Sequence, residues 1–185
     1  MGIQFLRHGL ALAALAALAA LLMAGCCHMA AGPGVMVDFP TKQAEVSCSS
    51  TCKVVVHARI APHEVCEVMA EVETIRVPAL QRPKIIWIIK KLDPSTDHYD
   101  YKFDFQPTSV PPVYGVDIKG NNPLKDFQNP GYEHASGHVE TDKFKWDDKH
   151  DQVLTFTYDL NVLRSPHNQE DWKPCKSVDP KIAND

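Results

Sequence analysis

The sequence predicts an all-β protein, an immunoglobulin-like antiparallel β-sandwich of about seven strands preceded by an N-terminal signal helix. Three observations lead to this fold class. All 14 prolines follow residue 32, and a chain so rich in proline cannot consist mainly of long helices. Short segments of alternating apolar and polar residues recur between loops rich in Pro, Gly and Asn. The first 25 residues differ from the rest because they are almost entirely apolar.

Residues 1–25 have the features of a lipoprotein signal peptide. Arg7 precedes an uncharged run of 15 residues that extends from Gly9 to Met23. The run is shorter than the ~20 residues that a transmembrane helix needs, and small residues follow it, which favours a cleaved signal over a membrane anchor.

The end of this segment, Met23-Ala24-Gly25-Cys26, resembles the lipobox of bacterial lipoproteins. The resemblance implies cleavage before Cys26 and attachment of a diacylglyceryl group to its sulfur. Cys27 follows in place of aspartate, which in the sorting pattern of Gram-negative lipoproteins implies an outer-membrane lipoprotein facing the periplasm. The alternative is ordinary cleavage after Ala30 or Ala31, which would release a free periplasmic or secreted protein.

Residues 26–45 have the composition of a short tether. Gly32-Pro33-Gly34 and Pro40 interrupt any regular period, as is typical of a linker that separates a folded body from a membrane surface. We therefore expect three parts: a signal peptide at 1–25, a lipid-anchored tether at 26–45 and a β-sandwich domain at 46–185.

The strands are predicted from the alternation of apolar and polar side chains. They cover residues 54–60, 65–75, 85–89, 99–105, 113–118, 139–146 and 154–162. Residues 85–89, around Trp87, are apolar on both faces and should form a central strand. Residues 65–75 fit helical spacing as well, although we favour a strand. Residues 147–151 are predicted to form a hairpin turn.

The mature chain is similar to a recurring pattern in small exported bacterial proteins of unassigned function. The similarity spans roughly residues 52–185 and includes Ile85-Ile86-Trp87, Tyr101-Lys102-Phe103, Gly115-Val116, Trp146-x-Asp148, Tyr158-x-Leu160-Asn161-Val162 and the tail from Cys175 through Asp179-Pro180 to Asn184. This resemblance implies a β-sandwich and implies no activity.

Four cysteines, Cys48, Cys52, Cys66 and Cys175, are expected to form disulfides in an oxidising compartment. One arrangement joins Cys48 to Cys52 and Cys66 to Cys175, which would fasten the C-terminal tail. Four cysteines allow three arrangements, and the runner-up joins Cys52 to Cys175 and Cys48 to Cys66. A redox pair at Cys48 and Cys52 is disfavoured, because their spacing differs from the two-residue redox motif.

The segment from Lys119 to Gly137 has no clear period and is predicted to be a long loop, a kind of segment that is often functional. Its candidate binding residues are Lys125, Phe127, Tyr132, Glu133 and His134. The two aromatic residues have no predicted strand to belong to. They are expected either to plug one end of the sandwich or to form a contact surface.

Chemistry beyond binding has little support in the sequence. His134 and His138 are weak metal candidates, because their four-residue spacing shares a face only on a helix and this segment contains Pro130 and Gly137. No cofactor is expected, and no nucleophile motif or phosphate-binding loop is present. The net charge of −4 argues against a nucleic-acid partner.

The sequence thus predicts a non-enzymatic envelope lipoprotein that acts as a binding or structural accessory module. Its expected partners are the membrane, through the lipid anchor, and another envelope protein. The alternatives are a periplasmic metal-binding or metal-transfer protein and an enzyme of unrecognised type. The ligand and the oligomeric state stay open.

Overall fold

The computed structural model describes residues 37–78, 80–119, 123–149 and 154–178. Strands dominate, and they confirm the predicted all-β sandwich. The strands are β1 Gln43–Ser47, β2 Thr51–Ala61, β3 Val65–Ala70, β4 Val72–Val77, β5 Lys84–Lys91, β6 Tyr99–Phe103, β7 Val116–Lys119, β8 Phe127–Ala135, β9 His138–Asp148, β10 Leu154–Leu160, β11 Val162–Pro166, β12 Lys173–Pro174 and β13 Lys176–Ser177. A single helical turn, Pro123–Asp126, precedes β8.

These strands form three sheets. One side of the sandwich is a six-stranded sheet in the order β13-β3-β2-β5-β9-β8. The other side combines a four-stranded sheet, β1-β4-β10-β7, with a three-stranded sheet, β12-β11-β6. Aromatic contacts join the two sides, since the Trp87 ring on β5 lies 5.3 Å from the Tyr158 ring on β10. The Phe103 ring on β6 lies 5.7 Å from the Phe144 ring on β9.

The pairing is mixed, which corrects the expectation of wholly antiparallel sheets. In the six-stranded sheet β2 pairs with β5 in parallel, and β3 pairs in parallel with β13. In the four-stranded sheet β1 and β4 are also parallel. The path of the chain explains the central pair: β3 returns along β2, β4 crosses to the other side, and β5 re-enters the first sheet in the direction of β2.

Strand β5 occupies the centre that the sequence predicted. It lies between β2 and β9, and its residues Ile85, Trp87 and Ile89 point into the core. Ile86 is also buried, with 7% of its surface exposed, although it points to the other face. A strand apolar on both faces is typical of such a covered position.

Residues 65–75 are in strands, as favoured, but they form two strands in different sheets. β3 pairs with β2, whereas β4 pairs with β10. Glu71 lies between them, and its N–H donates to the carbonyl oxygen of Val55 at 2.9 Å. Because the chain changes sheet at Glu71, the buried positions follow neither a clean helical nor a clean strand period across the whole segment.

Two segments expected to lack strands contain them. The loop prediction for Lys119 to Gly137 is wrong for its second half, because β8 runs from Phe127 to Ala135 and pairs with β9. β1 begins at Gln43, three residues before the predicted start of the domain. Neither strand shows the alternation of apolar and polar residues by which strands are predicted. β1 is short and largely exposed, and the pairing of β8 is irregular.

Gly115, just before β7, permits a close approach between the two sides of the sandwich. A Cβ atom at this position would lie 2.6 Å from the Cβ of Phe103 and 2.7 Å from the Cδ2 of Phe144. Only a glycine leaves room for this contact without displacing Phe103 or the Phe144 ring.

Two disulfides are present, Cys48–Cys52 and Cys66–Cys175, with Cα–Cα distances of 5.7 and 4.7 Å. They match the first of the two predicted arrangements. The second bond holds the tail beside β3, where the short strand β13 pairs.

Arg59 on β2 holds the first described residues against the sandwich. Its guanidinium donates to the carbonyl oxygen of Val37 at 2.9 Å and lies 4.2 Å from the centre of the Phe39 ring. Glu67 on β3 accepts from the same guanidinium at 2.8 Å and 3.0 Å. The chain therefore joins the sandwich at a fixed place on β2.

The predicted signal peptide, Cys26 and most of the tether lie outside the described residues. In the part of the chain that is described, no helix has the length and apolar character to cross a membrane. The predicted turn at 147–151 is described only to Lys149, and its Asp147 and Asp148 belong to the end of β9.

Candidate functional site

The irregular edge strand β8 shapes the candidate site. Asn129 has a positive φ of 54°, and the pairing with β9 shifts register between Gln128 and Gly131. Pro130 lies inside this irregularity, where a residue without an N–H is tolerated. The bulge bends β8 and blunts the edge of the sheet against pairing with another strand.

The tip of the β8–β9 hairpin is a tight turn. Ser136 and Gly137 both have positive φ, 51° and 81°, as in the type I′ turns that suit twisted hairpins. A second register shift follows Tyr132, which pairs with Phe144, whereas Glu133 pairs with Glu140. The hairpin is therefore twisted at two points.

An open, shallow cleft of about 520 Å³ lies along this strand. Its lining residues are Phe105, Asn129, Pro130, Gly131, Tyr132, His134, Val139 and Lys145. Apart from Phe105, which follows β6, all of them belong to the hairpin. The cleft thus exists because the hairpin bends beside the loop after β6.

Aromatic rings form one wall of the cleft. The Phe105 and Tyr132 rings meet edge to face with 5.6 Å between their centres, and Phe105 also packs against Phe144 at 5.4 Å. The Tyr132 hydroxyl donates to the carbonyl oxygen of Phe103 at 2.8 Å. Burial, together with the Asp104 carboxylate, raises the pKa of Tyr132, so this hydroxyl stays protonated and fixed. The wall is rigid because Phe105 packs against the buried Phe144 ring and the Tyr132 hydroxyl is bonded to Phe103.

Asn129, His134 and Lys145 supply the polar part of the cleft. The Asn129 amide donates to the Asp147 carboxylate at 3.0 Å and keeps its carbonyl oxygen for a ligand. His134 is exposed. Among the described residues, Lys145 has no acidic partner. The cleft therefore offers an amide, an imidazole and an uncompensated ammonium group.

The neighbouring lysines differ from Lys145 because each has a carboxylate. The Lys84 Nζ lies 3.3 Å from the Oε1 of Glu133. The Lys143 Nζ donates to the Oε1 of Glu140 at 2.5 Å, and this hydrogen bond raises the pKa of Lys143. Lys145 is thus a cleft lysine without its own carboxylate, whereas the carboxylates of Asp147 and Asp104 lie beside Asn129 and Tyr132.

The structure separates the residues singled out in the predicted loop. Tyr132 and His134 line the cleft, and Glu133 pairs with Lys84 instead. Phe127 is 3% exposed and belongs to the core, and Lys125 is exposed on the helical turn before β8. The sequence analysis did not identify Phe105, Asn129 and Lys145 as residues of the site. For Lys145 a signal was available, because a lysine between the apolar residues Phe144 and Trp146 of a strand must point away from the core.

The hairpin does not bring His134 and His138 together. His134 is paired with Val139, and His138 with Ala135, so successive positions place the two imidazoles on opposite faces of the ribbon. In the described part of the chain, no group of three His, Cys, Asp or Glu residues could hold a metal ion. Cys48, Cys52, Cys66 and Cys175 are all engaged in disulfides.

No protein-family model, curated protein or solved structure matches this chain.

Proposed function

We propose that this protein is an envelope lipoprotein whose β-sandwich acts as a non-catalytic binding module, with the β8–β9 cleft as its ligand site. The observation that supports the proposal is the combination of a rigid aromatic wall with three available polar side chains in one open cleft. Such a combination is typical of binding sites, where apolar contact gives affinity and a few polar groups give orientation.

The anchor in this proposal is a diacylglyceryl group on Cys26, and its membrane is the outer membrane on the periplasmic side. The attachment of Val37 and Phe39 to Arg59 supports an anchored arrangement, because it gives the preceding chain a fixed junction with the sandwich. Two or more acyl chains hold a protein on a membrane firmly, since each buried methylene contributes about 0.8 kcal/mol.

We expect Cys26→Ser to abolish lipidation. In phase separation with a detergent, the wild-type protein should enter the detergent phase and the variant should stay in the aqueous phase. Cys27→Ser is the matched control and should partition like the wild type. Mass spectrometry of the mature N-terminus provides the direct measurement, and an unmodified N-terminus near Ala31 would contradict lipidation.

Site-specific photocrosslinking tests the cleft as the ligand site. A benzophenone amino acid at Asn129, which is exposed at the cleft, should give crosslinked products in intact cells. The same amino acid at the exposed Lys173, on the small strand β12, should give none. The adduct at position 129 should disappear when Lys145→Glu is added. Equal adducts at both positions, or an adduct indifferent to Lys145, would count against the cleft.

A metal-transfer function, the main alternative, draws no support from the hairpin, because His134 and His138 lie on opposite faces.

A further inference from the structure

The loop between β6 and β7, residues 104–115, exposes an apolar tip. Val110 is 98% exposed, more than any other large apolar side chain among the described residues. Pro111 and Pro112 follow it and are exposed as well. Single exposed apolar residues are ordinary, whereas a run of three at the end of a loop indicates a contact surface. We call these three residues the Val110 tip.

Hydrogen bonds inside the loop hold the Val110 tip in one shape. Gln106 and Val113 exchange backbone hydrogen bonds, with N–O distances of 2.8 and 3.1 Å. The Ser109 hydroxyl lies 2.8 Å from the carbonyl oxygen of Gln106 and 2.7 Å from that of Pro111. Because proline rings also fix φ, the tip loses little conformational entropy when it binds a partner.

This loop lies beside the cleft. Phe105, which lines the cleft, directly precedes Gln106. The Phe105 ring lies 6.3 Å from that of Tyr114, near the other end of the loop. Both ends of the loop therefore start from the aromatic wall, while Val110 is in solvent and does not occupy the cleft of its own chain. A projecting tip and a cleft thus lie side by side on one edge of the molecule.

The lining of the cleft suits a proline-rich segment. Its apolar part consists of Phe105, Pro130, Tyr132 and Val139. Grooves lined by aromatic rings are a recurrent binding site for proline-rich segments. Prolines accept hydrogen bonds through their carbonyl oxygens but have no N–H to donate, and Lys145 on the polar side of the cleft is a donor.

The charges at the cleft favour an uncharged occupant. The Asp147 carboxylate accepts from the amide of Asn129, and the Asp104 carboxylate lies near the aromatic wall. These two carboxylates reduce the attraction that an anion would feel toward Lys145. Residues 105–116 contain no charged side chain. The loop therefore fits the cleft in charge as well as in apolar character.

We infer that the cleft binds the Val110 tip of a second copy of this chain, and that the two copies exchange their tips about a two-fold axis. Because tip and cleft lie side by side, one rotation brings each tip to the cleft of the other copy, as in an isologous interface. This inference rests on the proposed function, since it takes the cleft as the binding site and names its partner. The contact is made by side chains, because Pro130 and the bulge at Asn129 obstruct strand pairing along β8.

Sedimentation equilibrium of the protein, purified from membranes in a density-matched non-ionic detergent, tests the inference. We expect an equilibrium between monomer and dimer that depends on protein concentration. Val110→Asp should weaken the dimer at least about tenfold, because an unpaired carboxylate is costly to bury in an apolar cleft. The melting temperature should stay that of the wild type, since Val110 is exposed. A monomer at every concentration tested would overturn the inference.

Leu80→Asp is the matched control. Leu80 is 78% exposed on the loop between β4 and β5, and its substitution makes the same change of charge. This variant should form the dimer like the wild type. Equal weakening by Leu80→Asp and Val110→Asp would indicate general charge repulsion and overturn the inference, as would a dimer that Val110→Asp leaves intact.

A mixture of two variants tests the exchange of tips directly. Val139 lines the cleft and is 53% exposed, so Val139→Lys should weaken the dimer without unfolding the chain. In a mixed dimer of Val110→Asp with Val139→Lys, one tip and cleft are both unchanged, and the other pair brings the two introduced charges together. We expect the mixture to dimerise more tightly than either variant alone. A mixture that dimerises no better than its components would contradict the exchange.

Photocrosslinking from Asn129 separates this inference from the proposed function. With a mixture of unlabelled and isotope-labelled protein, an adduct between Asn129 and residues 106–113 of another copy would support both. If the protein is monomeric and Asn129 still crosslinks to a different molecule, the exchange of tips fails and the cleft remains a ligand site. Loss of both the dimer and the crosslinks would overturn the two together.

Discussion

Replacing Phe127 with serine is expected to lower the free energy of unfolding by about 3–5 kcal/mol, the usual cost of truncating a buried aromatic side chain. Phe127 is 3% exposed, and its ring lies 4.6 Å from that of Phe156 and 6.4 Å from that of Trp146. The substitution removes these contacts and places a hydroxyl in an apolar site. Equilibrium unfolding in urea, followed by tryptophan fluorescence, measures the change.

Val139→Ser serves as the control on the same hairpin. Val139 is 53% exposed, so this change should alter stability by no more than about 0.5 kcal/mol. Tyr132→Ser should give an intermediate loss of stability, because its ring is half-buried and its hydroxyl bonds to Phe103. A Phe127 variant as stable as the Val139 variant would mean that the start of β8 is not part of the core.

Removing the Cys66–Cys175 disulfide, by changing both cysteines to alanine, should lower the free energy of unfolding by about 2–5 kcal/mol. The bond joins positions 109 residues apart, and a loop of about 100 residues corresponds to ~4.7 kcal/mol in the chain-entropy relation. The tail should also become sensitive to proteases, because β12 and β13 contribute only short pairings. Thermal unfolding and limited proteolysis measure the two effects.

The other disulfide is the natural comparison. Cys48 and Cys52 are four positions apart, so changing both to alanine should cost only about 2 kcal/mol by the same relation. It should leave the tail protected. Peptide mapping without reductant that finds a free thiol at Cys175 would contradict the assigned bond, and so would a larger loss of stability from the Cys48 and Cys52 pair.

The strands with regular alternation were predictable from sequence, and those with irregular backbone were not. β2 and β6 show their buried positions directly, because every second residue faces the core, and β5 was predictable as a run that is apolar on both faces. In β8 the bulge around Asn129 and Pro130 breaks that alternation, so a paired strand looked like a loop. The parallel pairing of β2 with β5 depends on where the chain crosses between sheets, which side-chain periodicity does not encode.

The cleft itself could be predicted only in part. Tyr132 and His134 attracted attention because they lie in the segment without a clear period. Phe105 and Lys145 come from two positions 40 residues apart, and only the packing of the β6 loop beside the hairpin brings them together. A single sequence contains no signal for that contact. The cysteine pairing was one of two arrangements, and the tertiary position of the tail decides it.

The order of strands in the four-stranded sheet constrains when the chain can fold during synthesis. β10, Leu154–Leu160, lies between β4 and β7, so β4 has only β1 as a neighbour and β7 has none in this sheet until the last part of the chain emerges. The Tyr158 hydroxyl donates to the carbonyl oxygen of Val72, 86 positions earlier. Contacts so distant in sequence form late and slowly. In a nascent chain the four-stranded sheet therefore stays incomplete until β10 has emerged, near the end of synthesis.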